Sequence, residues 1–186
     1  MLERTRSVMD EISAIRIEVL SGRAALQLCS WLPEHTAGTR AVALDGRELP
    51  SQVGTTVSGQ ARVLCVGPAH WLIVADASAV AQLHEYLEPQ LRQQGLAVVD
   101  QTHGLAILQL QGRAARELLS KGCGLDMHPR SFPQGRCART RFAQIPVVIE
   151  CVEEPAKFEL YVARSYLAYL QSWLVDAAAE FEEPMV

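Results

Sequence analysis

The sequence predicts an α+β domain of paired strands followed by helices, not a doubly wound α/β sheet. Three observations carry this. Apolar residues alternate at period two in several short runs. The runs are joined by turns too short to hold a crossover helix, which implies antiparallel pairing. A strand–turn–strand–helix order occurs twice along the chain. The 186 residues, 20.4 kDa, suffice for one domain or two subdomains sharing a core. With 49% hydrophobic and 20% charged residues, the chain can bury a core without disulfides or metal.

In order, residues 1–13 are polar and irregular and read as a flexible N-terminus. Ile15, Ile17 and Val19 alternate with Arg16 and Glu18, as in a half-buried strand. Ser21-Gly22 reads as a turn and Ala25 to Cys29 as the returning strand. Residues 33–59 hold prolines, glycines and little periodicity, so they read as a loop-rich connection with a short strand at Arg40 to Leu44. Ala61 to Val66, the turn Gly67-Pro68 and Trp71 to Ala75 form a hairpin. Val80, Leu83, Leu87 and Leu91 then fall at helical spacing, with Asp76 or Ser78 as N-cap and Gly95 as the stop.

The second half opens with two apolar strands, Ala97 to Val99 and Leu105 to Leu110, around the polar turn 100–104. Gly112 opens a short helix with Ala114, Ala115, Leu118 and Leu119 inward, and Gly122 ends it. After a proline-bearing loop come strands at Cys137 to Phe142, Val147 to Val152 and Phe158 to Val162. Ser165 is placed to cap a last helix with the stripe Tyr166, Leu170, Trp173, Leu174 and Ala177. The expected organisation is a single domain over 14–180, with halves of roughly 14–95 and 96–180, and a loose tail at 181–186.

Seventeen basic against twenty-one acidic residues give a net charge of −4 and a pI near 5.7, so there is no global footprint for nucleic acid. The most apolar stretch, Trp71 to Leu83, is interrupted by Asp76 and Ser78 and is too short for a membrane span. Five scattered cysteines without a secretory signal suggest free thiols in a cytoplasmic protein.

No nucleotide-binding glycine motif and no nucleophile elbow occurs. Cys123, His128 and Cys137 lie close in sequence but lack a Cys-x-x-Cys pair to nucleate a metal site, and read instead as core thiols and a loop histidine. Cys123 sits just past a helix C-terminus, where the negative end of the dipole disfavours a thiolate. Asp100 with His103 has the composition of an acid–base pair, yet Asp100 and Thr102 are also typical turn-holding residues. Asp126, His128 and Arg130 alternate in a segment that reads as extended, which would align them as a ligand site or, more simply, as a loop-fixing network. Tyr169 falls outside the last helix's apolar stripe. With His103 and Arg130 it forms the candidate set for a partner interface, where tyrosine and arginine are favoured anchors.

The run Asp100-Gln101-Thr102-His103-Gly104, then Gly112-Arg113-Ala114-Ala115-Arg116, then Lys121-Gly122-Cys123-Gly124-Leu125-Asp126-Met127-His128-Pro129-Arg130 resembles the gamma subunits of heterotetrameric sarcosine oxidases. Phe132-Pro133, Gly135, Cys137, Arg164-Ser165-Tyr166 and Ser172-Trp173-Leu174 extend the likeness, as do Leu49-Pro50 and Gly67-Pro68 before Trp71-Leu72. The resemblance covers about residues 60–180.

It implies a fold like the folate-binding domain of glycine-cleavage aminomethyltransferases, with two duplicated, interleaved halves. It also implies a non-catalytic subunit, with no catalytic, cofactor or metal residue of its own. The large partner subunits would oxidise sarcosine to glycine, with tetrahydrofolate as one-carbon acceptor. FAD, FMN, NAD, zinc and tetrahydrofolate would all belong to partner subunits. Two alternatives stand beside this: a free-standing folate or one-carbon binding domain, which needs a carboxylate in a concave pocket, and the equivalent subunit of an N-methyl amino acid dehydrogenase.

Overall fold

The computed structural model describes residues 14–32, 43–44, 47–59 and 61–181. The expected flexible N-terminus at 1–13, most of the expected strand at Arg40 to Leu44, and the tail beyond Phe181 lie outside the described residues. In chain order the elements are β1 (Arg16–Val19), β2 (Arg23–Ser30), a ribbon of β3 (Ala43–Leu44) and β4 (Arg47–Glu48), β5 (Thr56–Val57), β6 (Arg62–Gly67), β7 (His70–Asp76) and α1 (Ala77–Gln93). There follow β8 (Leu96–Asp100), β9 (Leu105–Gln111), α2 (Ala115–Gly122), β10 (Cys137–Phe142), β11 (Ile145–Glu153), β12 (Lys157–Ala163), a 3₁₀ turn at Arg164–Tyr166 and α3 (Leu167–Ala178).

Two antiparallel five-stranded sheets result, ordered β5-β6-β7-β2-β8 and β1-β9-β12-β11-β10. Reading the first order backwards matches β8, β2, β7, β6, β5 to β1, β9, β12, β11, β10. The two halves therefore share one plan and exchange an edge strand: β1 pairs with β9, and β8 pairs with β2. This is the interleaved duplication, in an α+β fold.

The exchange corrects two expected pairings. β1 and β2 are not a hairpin, and β8 does not pair with β9. At the first crossing the Leu20 N–H donates to the Ile107 carbonyl at 2.8 Å, holding the chain in the second sheet. Gly22, at φ +73°, then redirects it into the first. At the second crossing the Gln101 N–H donates to the Ala25 carbonyl at 2.8 Å, so the chain leaves the first sheet only after β8 is complete.

Period-two alternation places each sheet between two apolar layers. On one outside, Leu26, Leu28 and Ile73 pack against Val80, Leu87 and Leu91 of α1. On the other, Leu108, Phe142, Phe158 and Leu160 pack against Leu118 and Leu119 of α2 and Leu170 and Leu174 of α3. Ala25, Leu64, Leu72, Val74, Ile107, Cys137 and Tyr161 form a smaller core between the sheets.

The helix ends are simpler than expected. Asp76 occupies the N-cap position of α1 but makes no side-chain cap; its carboxylate pairs with Arg23 at 3.0 Å. Ser165 lies within the 3₁₀ turn, and Tyr166, which is exposed, takes the N-cap position of α3 without a side-chain cap. Gly122 is required by packing: a Cβ there would stand 2.3 Å from the Phe142 ring.

Candidate functional site

The motif residues of the sequence converge on two loops, each pinned by one arginine. Arg164 opens the 3₁₀ turn and points back at the loop 101–104. Its guanidinium donates to the carbonyls of His103 (2.9 Å), Leu105 (2.7 Å) and Thr102 (3.2 Å). Within that loop the Asp100 carboxylate accepts from the Thr102 N–H at 2.8 Å. His103 is left exposed at the tip, with its backbone held by Arg164. Asp100 thus closes a turn and does not orient His103.

Arg116, on α2, does the same for the loop 123–136. It donates to the carbonyls of Met127 (2.7 Å), Phe132 (3.0 Å) and Pro155 (3.0 Å), pairs with Glu154 at 2.8 Å, and lies 5.0 Å above the Phe158 ring. Five donors in a planar fork suit this task, which a lysine would not reproduce. The segment Asp126 to Arg130 is not extended, as alternation suggested. The Asp126 carboxylate accepts from the His128 N–H (2.9 Å) and the Ser131 hydroxyl (2.5 Å), and the His128 ring nitrogen accepts from the Arg130 N–H at 3.2 Å. These local bonds curl the backbone into turns and so remove the shared side-chain direction. The Ser131 hydroxyl first, and the His128 N–H second, hold the Asp126 carboxyl below its ordinary value.

A second polar group lies in the seam between the sheets. On β11 and β12, Glu150 and Glu159 are cross-strand partners, and both are almost fully buried, at 1% and 2% exposure. Tyr161, two residues beyond Glu159 on the same face, brings its hydroxyl to 2.5 Å from Glu150 and 2.9 Å from Glu159. Arg62 reaches across from β6 to ion-pair with Glu159, lies 3.8 Å from Glu150, and donates to the Tyr161 hydroxyl at 3.2 Å. One guanidinium faces two buried carboxyls and a phenol. Burial pushes the Glu150 carboxyl up, against the opposing pull of Arg62, and pushes the Tyr161 phenol far up.

The seam is closed at one end. There Thr56 N–H donates to the Gly135 carbonyl (2.8 Å) and Cys137 N–H to the Gly54 carbonyl (2.9 Å), which joins β5 to the start of β10. At the other end the sheets part around a cleft of about 180 Å³. Its walls include Leu72 and Val66 from one sheet and Val148, Leu105 and Ala163 from the other, with the Tyr161 ring, Gln27 and Arg139.

Comparison with known proteins identifies the chain. The model of the sarcosine oxidase, gamma subunit family matches residues 33–180. The chain belongs to the sarcosine oxidase gamma subunit family.

Among its relatives is the sarcosine oxidase subunit gamma of Corynebacterium sp. strain U-96, 34% identical over 81% of this chain and 73% of the relative. The subunit gamma of Corynebacterium sp. strain P-1 is 35% identical over 75% and 69%. Among solved structures, heterotetrameric sarcosine oxidase from Corynebacterium sp. U-96, in complex with pyrrole 2-carboxylate, contains a chain that superposes with a TM-score of 0.78. The identity is 27%, and 98% of this chain and 95% of that one are covered. Glycine cleavage system aminomethyltransferase T from Bartonella henselae shares the fold, with a TM-score of 0.65 at 13% identity over 91% of this chain and 48% of that one.

In this gamma family member burial opposes ionisation of Cys65, Cys123, Cys137 and Cys151. Burial pushes Cys137 and Cys151 up to about 11 and raises Cys123, and all five cysteines are free. Among the described residues no group of three or more potential ligands is placed to hold a metal, and no helix is long and apolar enough to cross a membrane. Tyr169 is half-exposed and donates its hydroxyl to the Ala143 carbonyl at 2.9 Å, bracing the β10–β11 turn, where Ala143 and Gln144 both have positive φ.

Sequence reasoning missed Arg62, Glu150, Glu159 and Tyr161. Phe158, Leu160 and Val162 alternate with Glu159 and Tyr161, and in the structure both sets are buried. The signal of a second packed face was the recurrence of Leu105, Ile107, Val148 and Tyr161 on the side of β9, β11 and β12 turned away from the helices.

Proposed function

We propose that the chain is the non-catalytic gamma-type subunit of a cytoplasmic, heterotetrameric sarcosine oxidase complex. Oxidative demethylation of sarcosine to glycine would be carried out by the large partner subunits. FAD, FMN, NAD, zinc and tetrahydrofolate would reside on partner subunits, and none on this chain. The observation that carries the reading is the likeness, over nearly the full length of both chains, to one chain of a heterotetrameric enzyme. The local chemistry supports it. Asp100 and Asp126 spend oxygens on their own turns, and the motif arginines Arg116 and Arg164 spend their donors on loop carbonyls. Those loops are built to be presented, with His103, His128 and Arg130 exposed at their tips.

The free-standing folate reading requires a carboxylate lining a concave pocket. The inter-sheet cleft offers Gln27 and Arg139 instead, and Glu150 and Glu159 are not among its walls. The test is coexpression with the large subunits. The chain alone should be colourless and inactive on sarcosine, and with its partners it should co-elute as one complex on gel filtration. A flavin band copurifying stoichiometrically with the isolated chain overturns the non-catalytic reading. Separate elution in the presence of folded partners overturns the assembly role. An assay with artificial electron acceptors against oxygen separates an oxidase complex from a dehydrogenase.

A further inference from the structure

The cleft at the open end of the seam is not used by anything described so far. We propose that it is the anchor pocket for an aromatic side chain of a partner subunit, with an acidic residue beside that side chain pairing to Arg139; this rests on the subunit reading above. Three features select this occupant. First, size: about 180 Å³ is below the roughly 300–1,000 Å³ of small-molecule sites, and near the 150 Å³ that holds one benzene ring. Second, charge: Arg139 is exposed at the rim, opposite Val148 on β11, and has no acidic partner among the described residues. A guanidinium beside an apolar hole is complementary to an aromatic residue flanked by a carboxylate. Third, rigidity: the Tyr161 ring in the cleft is fixed by its hydroxyl's bonds to Glu150, Glu159 and Arg62. The pocket is therefore preorganised, and little ordering opposes binding. Val66, Leu105, Val148 and Ala163 along it are only half-buried in the isolated chain, so an inserted ring would remove apolar surface from water.

The experiment uses the full chain coexpressed with the large subunits. Ala163→Trp fills the cleft from the end of β12 and should weaken assembly by roughly a hundredfold or more. Arg139→Glu, on an exposed position that leaves the fold intact, should weaken it about tenfold, with an unchanged melting midpoint for the isolated chain. Tyr86→Ala, on the exposed face of α1, should assemble like wild type. In a second measurement, Ala163→Cys is alkylated with iodoacetamide and the peptide followed by mass spectrometry. The introduced thiol should react in the isolated chain and be protected about tenfold or more in the complex. If Arg139→Glu assembles as wild type does, or the introduced thiol reacts equally fast in the complex, the cleft proposal falls and the subunit reading stands. If wild type itself does not assemble, both fall. Protection in the isolated chain together with dimeric elution assigns the cleft to a second copy and overturns the proposal.

Discussion

The two outer layers of the molecule and the seam between its sheets are built from the same strands by opposite means. The outer layers are apolar and largely local: β7 leads directly into α1, and β12 into α3 through one 3₁₀ turn, and each helix covers the sheet it has just left. The seam is assembled from residues up to 99 positions apart, as in the Arg62–Tyr161 bond, and sets two buried carboxyls and a buried phenol against a partly buried guanidinium. In the seam Arg62 of one sheet meets both glutamates of the other. The apolar contacts of the seam hold the two sheets together, and the polar cluster adds directional bonds between them.

The comparison is broken most severely at its cation. Arg62→Met should cost roughly 3–5 kcal/mol at neutral pH, because it strands two buried carboxyls without a counter-charge. The loss should shrink as pH falls and the Glu150 carboxyl protonates. Urea denaturation at several pH values reads it, and a pH-independent loss would show that Arg62 contributes packing alone. In an outer layer, Leu118→Ala should cost about 2–4 kcal/mol through cavity formation, with no pH dependence.

A subtler change sharpens the contrast. The folded-state pKa of Glu150 is raised, so its contribution is fully present below the ordinary value of 4.5 and is lost as pH rises through the raised one. Wild-type stability should therefore decline across that interval, and Glu150→Gln should flatten the decline. An unchanged slope would place the titrating proton elsewhere. Asp126 works the other way. Its lowered pKa makes its contribution present above the ordinary carboxylate value and lost as pH falls, so Asp126→Asn should lower stability at neutral pH and flatten the acid limb. Smallest of all, Tyr169→Phe should cost about 0.5–1.5 kcal/mol by releasing the Ala143 carbonyl, read as a small shift in the thermal midpoint.

Period-two and helical spacing were enough to place β6, β7, α1, β10, β11, β12 and α3, because each reports a local fact: which side of an element meets oil. The turn chemistry of Asp100 with Thr102 was equally legible, since an Asx turn needs only residues two apart. Asp126 makes the same bond, and there the extended reading failed: one short hydrogen bond outweighs an alternating pattern in a loop that no sheet holds straight. The arginines of the motifs stood out in the sequence, but their work did not. Arg116 and Arg164 act on carbonyls up to 39 and 62 residues away, and carbonyls leave no mark in a sequence.

By itself the sequence determined the α+β class, the repeated strand–turn–strand–helix unit, the two apolar helix faces and, through its motifs, the gamma subunit family. The tertiary structure alone decided that β1 and β8 change sheets, that the second faces of β9, β11 and β12 pack toward the other sheet, and that Glu150 and Glu159 share one arginine. The reason is one of range. Side-chain periodicity records whether a face is buried by its own neighbours, but an exchanged edge strand has the same alternation whichever sheet receives it. The choice between sheets is made by backbone hydrogen bonds and buried charges contributed by the other half of the chain.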